Sequence, residues 1–302
     1  MPRRFDDMAL GSIELFCLAA ELGGFTAAAA TAGVTPAAVS RSVARLEERM
    51  GVRLFVRTTR HMRLTDAGRL YYEQCRQALD QLVEAERVAA GEQLHPVGTL
   101  RISAPTTYAH YRLLPLLPEF RERHPDVRVQ IHVGNRNVDF SEEGFDLAIR
   151  VRSPGDSGLI VRHLEDAALV VVGSPGYLAR RGTPSSLADL QEHDCIQFDL
   201  PSSGRRIAWL FRDKGDDIEL ATEGGYSLSE DVLGGVTLAR HGAGLFQTYR
   251  FIVEGDLREG RLVEVLQEAA GRSRPFNLLY PSSRHVPFRV RSFIDFLIHK
   301  MT

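Results

Sequence analysis

Residues 25–68 of this chain read FTAAAATAGVTPAAVSRSVARLEERMGVRLFVRTTRHMRLTDAG, which predicts two helices, a turn and a basic hairpin in direct succession. Thr26 is expected to cap a first helix over residues 27–32, which the glycine that follows ends. Thr35 and Pro36 then supply an N-cap and a proline at the first position of a second helix. The two helices are therefore joined by a very short turn.

The second helix has two chemically different faces. Its apolar residues recur at spacings of four, three and four, which is the core stripe of an amphipathic helix, at Val39, Val43, Leu46 and Met50. The opposite face carries Ser40, Arg41, Arg45 and Arg49. Alanines are concentrated where the two helices would cross and where the second would enter a groove, at positions 27–30, 32, 37 and 38. Bulky side chains at those positions would hold the backbone away from a ligand surface.

The segment after the second helix is predicted to be a two-stranded wing. Gly51 closes the helix, Leu54 and Phe55 bury one side of the following segment, and basic residues lie at the tip of the hairpin. From Thr35 to Thr65 seven arginines stand against two glutamates, a local net charge of +5, whereas the whole chain carries −2. If the charged residues stood alone, an ordinary solvated helix face would be the alternative. Here they occur together with the helix cap, the short turn, the apolar stripe and the wing, and this combination favours a module that binds double-stranded DNA.

The same pattern gives each candidate residue a role. The hypothesis places Pro36, Ala37, Ser40, Arg41 and Arg45 in the major groove, with Arg41 as the main base reader and Thr35 and Ser40 also contacting phosphates. The wing arginines are expected to enter or flank the minor groove. The full set of candidate DNA-binding residues is Thr26, Thr35, Pro36, Ala37, Ser40, Arg41, Arg45, Arg57, Arg60 and Arg63.

This run of residues resembles the winged helix-turn-helix of LysR-type transcriptional regulators. The resemblance is carried by the segments 25–29, 34–41, 46–47, 51–57 and 64–68, and it extends in length and domain order from about Ala9 to His299. It implies a promoter-binding regulator that is controlled by a small-molecule effector. It further implies dimers that usually assemble into tetramers and bend their DNA.

A long helix is predicted from Asp66 to Gly91, between the wing and the rest of the chain. It carries a heptad-like apolar seam at Tyr71, Cys75, Ala78, Leu82, Ala85 and Ala89. Such a seam packs either against the chain's own body or against the same helix of a second subunit. The resemblance favours the second alternative, since a symmetric protein matches a symmetric DNA site.

Beyond a hinge at residues 94–98, strands and helices alternate, which predicts an α/β sheet domain. The predicted elements include a helix near Leu113–His124 and strands at Ala168–Val172 and Gly244–Gln247. The resemblance implies a two-lobed domain similar to type 2 periplasmic binding proteins. Ligands of open α/β sheets bind at the carboxyl ends of strands and at helix N-termini. Candidate effector-binding residues at such positions are Ser103, Pro105, Thr106, Thr107, Gly134, Asn135, Arg150, Arg152, Phe198 and Gln247. For each of them a helix cap, an ion pair or another purely structural role is the alternative.

The expected fold class is therefore α/β with an N-terminal, all-α winged helix-turn-helix. The predicted domains are a DNA-binding domain over 1–65, a linker and dimerisation helix over 66–91 and an effector domain over 92–302. Within the last, lobe 1 is expected at about 97–166 plus 272–302, and lobe 2 at about 167–271.

Other functional classes are less well supported by the sequence. The chain has no G-x-S-x-G, P-loop, H-E-x-x-H or G-x-G-x-x-G motif, so an enzyme is disfavoured. A cytoplasmic α/β enzyme or a small-molecule-binding protein with a basic N-terminal module remains the alternative. A solute-binding transport protein would leave the basic module unexplained. With no signal-peptide pattern or long apolar run, we expect a cytoplasmic protein without a membrane partner, and no metal or cofactor is predicted.

The three cysteines, Cys17, Cys75 and Cys195, are far apart in the sequence. Cys17 and Cys75 lie in segments that are predicted to be helical, and Cys195 lies at the predicted edge of a strand. The spacing favours buried, reduced thiols over a disulfide framework or a zinc site. Redox sensing through one of them is the alternative.

Overall fold

The computed structural model describes residues 10–57, 62–89, 95–136, 138, 140–151, 158–201, 203–282 and 286–301. Backbone contacts divide the chain into two units. They are Met1–His95 with Asp139–Gly144, and Pro96–Val138 with Phe145–Thr302. Each unit buries hydrophobic side chains of its own.

The first unit is a helical domain with a small hairpin. Its elements are α1 (Leu10–Glu21), α2 (Phe25–Ala32), α3 (Pro36–Met50), β1 (Phe55–Arg57), β2 (Met62–Leu64) and α4 (Asp66–Ala89). The predicted turn chemistry is confirmed at three positions. The Thr35 hydroxyl accepts the Ala38 N–H at 3.2 Å at the start of α3. Gly33 and Gly51 end α2 and α3 in the left-handed region, at φ +67° and +70°.

The predicted cap at Thr26 is wrong. Helix α2 begins two residues earlier than predicted, at Phe25, and its N-cap is Gly24, which makes no side-chain hydrogen bond. The Phe25 ring packs edge-on against Phe55 with ring centroids 5.6 Å apart. Tertiary packing thus fixes the start of α2 at the phenylalanine, and Thr26 is an exposed residue of the first turn.

Helix α1 supplies the centre of the first core. Phe16 is fully buried and meets Phe55 at 5.4 Å and Tyr71 of α4 at 5.5 Å between ring centroids. Cys17 and Cys75 are buried in the same cluster. The beginning of the predicted seam on α4 therefore packs against the chain's own domain.

The remainder of the seam lies on the surface. Leu82 is 46% exposed, and Ala78, Ala85 and Ala89 are exposed as well. The neighbouring Val83 is also 46% exposed. Helix α4 thus packs part of its apolar face, with Cys75 and Leu79, into the first core and exposes apolar side chains further along, at Leu82 and Val83.

The second unit is an α/β domain, which confirms the predicted fold class. Its strands are β3 (Gly98–Ala104), β4 (Val127–Val133), β5 (Leu147–Arg150), β6 (Leu159–Gly173), β7 (Gln197–Asp199), β8 (Trp209–Asp213), β9 (Asp216–Leu220), β10 (Ser227–Ser229), β11 (Phe246–Tyr249), β12 (Val263–Val265) and β13 (Ser273–Pro281). Its helices are α5 (Thr106–Tyr108), α6 (Leu117–Arg123), α8 (Pro175–Arg181), α9 (Val232–Arg240), α10 (Arg250–Arg258) and α11 (Phe288–Met301). Helix α7 (Phe140–Glu143) lies between β4 and β5 in the chain but belongs to the first unit.

One sheet runs through this domain in the order β11-β6-β13-β5-β3-β4. Strand β3 pairs in parallel with β4 and β5, whereas β13 is antiparallel to both β5 and β6. The first part of β6 pairs with β13, and its last residues pair with β11 and β12. Strand β6 therefore belongs to both predicted lobes.

The region predicted as one helix near Leu113–His124 is divided. A π-helical turn at Ala109–Leu113 and a 3-10 turn at Leu114–Leu116 precede α6. Pro115 and Pro118 fall in the first turns of the 3-10 segment and of α6. Because proline lacks an N–H, it is tolerated only at the first turn of a helix, and the helix restarts at these positions.

Candidate nucleic-acid interface and ligand cavity

Helix α3 presents one continuous polar face to solvent. Ala37, Arg41 and Arg45 are exposed and four residues apart, so they lie above one another on that face. Thr35 and Pro36 at the helix start are also exposed, and Ser40 is half-buried. The opposite face is fixed, since Val39, Val43 and Leu46 are buried in the core. The helix can therefore enter a groove without disturbing its own packing.

A buried carboxylate connects α3 to the hairpin. Glu47 Oε1 accepts the N–H groups of Leu54 at 2.8 Å and Phe55 at 3.2 Å, and its Oε2 accepts from Arg53 at 2.9 Å. Burial works to raise the pKa of the Glu47 carboxyl, but these hydrogen bonds outweigh it and hold the pKa below its ordinary value. The hairpin is thus anchored to the end of the exposed helix.

The hairpin has the predicted topology. Strands β1 and β2 pair antiparallel, with Phe55 opposite Leu64 and Arg57 opposite Met62. Arg63 is exposed on β2. Arg60 lies outside the described residues.

The second unit contains a cavity of about 440 Å³ that is lined from both predicted lobes. Six of the ten candidate effector residues line it: Pro105, Thr107, Asn135, Arg150, Phe198 and Gln247. Ser103, Thr106 and Gly134 are not among its lining residues. Arg152 lies outside the described residues.

Arg150 connects the end of β3 to the loop that follows β4. It is 7% exposed, and one of its terminal nitrogens donates to Ser103 Oγ and to the Arg136 carbonyl, both at 2.8 Å. The other terminal nitrogen donates to the carbonyls of Ile149 at 2.6 Å and Ser103 at 3.3 Å. Ser103 is fully buried and thus supports Arg150 behind the cavity wall.

Gln247 likewise connects two elements, on the side of the cavity that belongs to predicted lobe 2. Its side-chain oxygen accepts the Leu210 N–H at 2.9 Å, and its amide nitrogen donates to the Leu210 carbonyl at 2.8 Å. These two bonds tie β11 to β8. Both polar ends of the side chain are therefore engaged with backbone.

Asn135 bridges the two sides of the cavity. Its side-chain oxygen accepts the Thr106 N–H at 3.2 Å, and its amide nitrogen donates to the carbonyl of Glu230. Glu230 has a positive φ of +64°, which is unusual for a side chain of this kind. Directly after it, Asp231 caps α9 by accepting the Leu233 N–H at 3.0 Å.

Family models match both halves of the chain. The model described as "Bacterial regulatory helix-turn-helix protein, lysR family" covers residues 10–69, and "LysR substrate binding domain" covers 93–302. The HTH-type transcriptional regulator CrgA of Neisseria meningitidis is 34% identical over 96% of each chain. The probable regulator LtrA of Klebsiella pneumoniae is 34% identical over 95% of this chain and 93% of its own.

The chain belongs to the LysR family of bacterial transcriptional regulators. The solved structure of CrgA, described as a LysR-type transcriptional regulator, matches with a TM-score of 0.61 at 32% identity, over 96% of this chain and 98% of that chain. Full-length AphB of Vibrio cholerae matches with a TM-score of 0.60 at 27% identity, over 97% and 99%. The family assigns DNA binding to the helix-turn-helix and effector binding to the second domain.

Part of the cavity of this LysR-family protein is made by residues that the sequence did not point to. They are chiefly Trp209 and Glu219 of the β8–β9 hairpin, Thr248 and Tyr249 of β11, and Arg205 and Arg274. The sequence pattern predicted a strand that ends at Gln247, whereas β11 continues to Tyr249. A strand exit placed two residues later would have included Thr248 and Tyr249.

Two further properties of the regulator follow from the described residues alone. None of their helices is long and apolar enough to cross a membrane. Within the same part of the chain, no group of three or more His, Cys, Asp or Glu side chains is arranged to hold a metal ion.

Proposed function

We propose that this regulator binds promoter DNA as a symmetric dimer and that a small molecule in the cavity changes how it does so. The observation that carries the DNA-binding part is the exposed face of Ala37, Arg41 and Arg45 on a helix whose other side is buried. The short side chain of Ala37 lets the helix enter the major groove of DNA, and Arg41 and Arg45, each about one helical turn further on, can donate to the acceptor-rich edges of the bases there.

In this proposal the residues of the interface divide their work. Arg41 reads base edges together with Pro36, Ala37, Ser40 and Arg45. Thr35 and Ser40 also hold phosphates, and Thr26 supports them from α2. The wing residues Arg57, Arg60 and Arg63 contact the backbone and the minor groove.

The assembly is proposed to form through the second half of α4. The exposed Leu82 and Val83 provide an apolar surface there, and family membership supports further assembly into tetramers. The bounds proposed for the three parts are 1–65, 66–91 and 92–302, with the lobes as predicted. The protein would act in the cytoplasm, where bacterial promoters are, and bind its effector without transforming it.

Control is proposed to depend on contacts that join the lobes. Asn135 of lobe 1 holds the Glu230 carbonyl of lobe 2, next to the start of α9, whose Val232 lines the cavity. A ligand that binds one arrangement of the lobes more tightly than another shifts the equilibrium between them. The same ligand then changes DNA affinity by the corresponding coupling free energy.

The test is DNA binding by fluorescence anisotropy, across a salt series, with the chain's own promoter region and a scrambled duplex of equal length. We expect salt-sensitive binding with strong preference for the promoter. Arg41→Ala should lose about 1–3 kcal/mol on the promoter and relax base preference. Arg63→Ala should weaken both duplexes alike and lower the salt slope by about one. Equal losses on both duplexes for both variants would refute the division of roles, and absence of promoter preference in the wild type would refute the function.

A further inference from the structure

The cavity has a cationic lining with apolar walls. Three arginines, Arg150, Arg205 and Arg274, line it together with one carboxylate, Glu219. Trp209 and Phe246, both nearly fully buried, form part of the apolar surface. A cavity with this balance favours an amphipathic anion over a cation or a sugar-like neutral molecule.

The three arginines are not equivalent. Arg150 is engaged in four hydrogen bonds to Ser103 of β3, Ile149 of β5 and Arg136 of the loop after β4. Arg205 is exposed. Arg274 is half-buried on β13, where its position opposite Ala167 of β6 places it in the wall itself.

Tyr249 adds a second polar group to this wall. Tyr249 lies opposite Leu169 of β6, two positions from the partner of Arg274, and the positive charge of Arg274 acts on its phenol. Burial raises the pKa of Tyr249 to about 12, so the phenol keeps its proton and can donate it in a hydrogen bond. A cation and a neutral donor are thus placed at the same end of the cavity.

Thr248 does not belong to this wall. It lies opposite Val170 of β6, so its side chain is on the other face of the sheet from those of Tyr249 and Arg274, and its hydroxyl oxygen is buried.

We propose that the effector is a small organic acid with one carboxylate and an apolar body. Its carboxylate lies at the wall made by Tyr249 and Arg274, and its body packs against Trp209 and Phe246. This inference rests on the proposed function, since it names the ligand class of the same cavity. It makes Arg274 the residue that determines selectivity for charge.

The experiment compares ligands that share a body and differ in charge. Wild-type full-length protein is titrated at millimolar concentrations with 3-phenylpropionate, 3-phenylpropionamide and 3-phenylpropylamine, and with the corresponding trio built on 4-methylpentanoate. Thermal unfolding and calorimetry report binding, since a ligand of the folded state raises the midpoint. We expect at least one acid to bind, and its amide and amine to bind at least about tenfold more weakly.

Two variants locate the charged group. Arg274→Gln should weaken the acid at least about tenfold and remove the preference over the amide. Arg272→Gln is the matched control, because Arg272 pairs with Asp217 at 2.9 Å and does not line the cavity. Midpoints without ligand show that each variant is folded.

Several results would overturn the inference. They are an amine or amide that binds better than its acid, an acid that binds Arg274→Gln as tightly as the wild type, and failure of both acids to bind. The promoter assay on the same preparations distinguishes a failure of the ligand class from a failure of the proposed function. Intact promoter preference with any of these results refutes only the ligand class, whereas its loss refutes the proposed function.

Discussion

At the level of single residues, Glu47 shows how a side chain outside the DNA-contacting face controls that face. Its carboxylate satisfies two backbone N–H groups at the point where α3 has ended and β1 begins. Without it, those donors would lie buried and unpaired, because Leu54 and Phe55 are both core residues. The position of the wing relative to α3 therefore depends on one acceptor.

Replacing Glu47 tests this dependence. Glu47→Ala should lower the free energy of local opening at Leu54 and Phe55 by about 1–3 kcal/mol, measured by hydrogen exchange of the peptide that contains them. Arg53→Ala is the control, because its side chain is 81% exposed and its ion pair with Glu47 should contribute no more than about 1 kcal/mol. Equal effects of the two variants would contradict the role assigned to the backbone contacts.

The same residue predicts a pH dependence. The pKa of Glu47 is lower in the folded protein than its ordinary value of 4.5. The stabilisation is therefore complete above the ordinary pKa and is lost as the pH falls through the lower, folded-state pKa. In the Glu47→Gln variant, the hydrogen-exchange protection of the peptide that contains Leu54 and Phe55 should therefore depend less on acidic pH than in the wild type. Parallel acid profiles for Glu47→Gln and wild type would count against it.

The three cysteines yield a prediction about reactivity. All three are free and buried, and burial raises the pKa of Cys17 and of Cys195 to about 12 and that of Cys75 above its ordinary value. Since the thiolate is the reactive form, a thiol reagent such as DTNB should label none of them in the native protein near neutral pH. In denaturant all three should react. Rapid labelling of a native thiol would instead support the redox alternative.

At the level of elements, the sequence predicted those features that short-range chemistry determines. The turn between α2 and α3 follows from Gly33, Thr35 and Pro36, three residues within four positions. Strand β6 was predicted only over its last residues, because its first part is stabilised by pairing with β13, more than 100 residues away in the chain. Trp209 and Glu219 of the cavity lining were missed for the same reason, since the contact between Gln247 and Leu210, which joins β11 to β8, connects distant segments.

Helix α4 begins against the wing, and one glycine makes this possible. The Gly68 N–H donates to Thr65 Oγ1 at 2.8 Å, and a Cβ at this position would overlap the carbonyl oxygen of Leu54. We expect Gly68→Ala to lower the thermal midpoint through a clash that costs about 1–3 kcal/mol. Gly11→Ala is the control, because a Cβ there meets nothing within 4 Å and should be neutral or stabilising. An unchanged midpoint for Gly68→Ala would show that the helix can move away at little cost.

At the level of the whole molecule, the regulator combines a basic segment with an acidic remainder. The segment from Thr35 to Thr65 carries +5 and the whole chain −2, which leaves −7 on the rest, with histidines counted as neutral. Such an asymmetry attracts DNA to the reading end and disfavours its binding elsewhere. It also makes affinity depend on how many basic segments engage one duplex at once, and that number is set by the oligomeric state.

The dimer proposed on α4 therefore predicts a specific change in DNA binding. Leu82→Glu places a charge on the exposed apolar part of the seam and should convert the protein to a smaller species in light scattering. Its affinity for a duplex with two half-sites should fall at least about tenfold and its salt slope by about half, because one basic segment then displaces half of the counterions. Binding to a single half-site should not change.

Leu22→Glu is the control for this prediction. Leu22 is equally exposed, at 45%, but lies just after α1, so its variant should keep the wild-type mass, DNA affinity and salt slope. If Leu82→Glu kept the wild-type mass and slope, the dimer would have to be held by another surface.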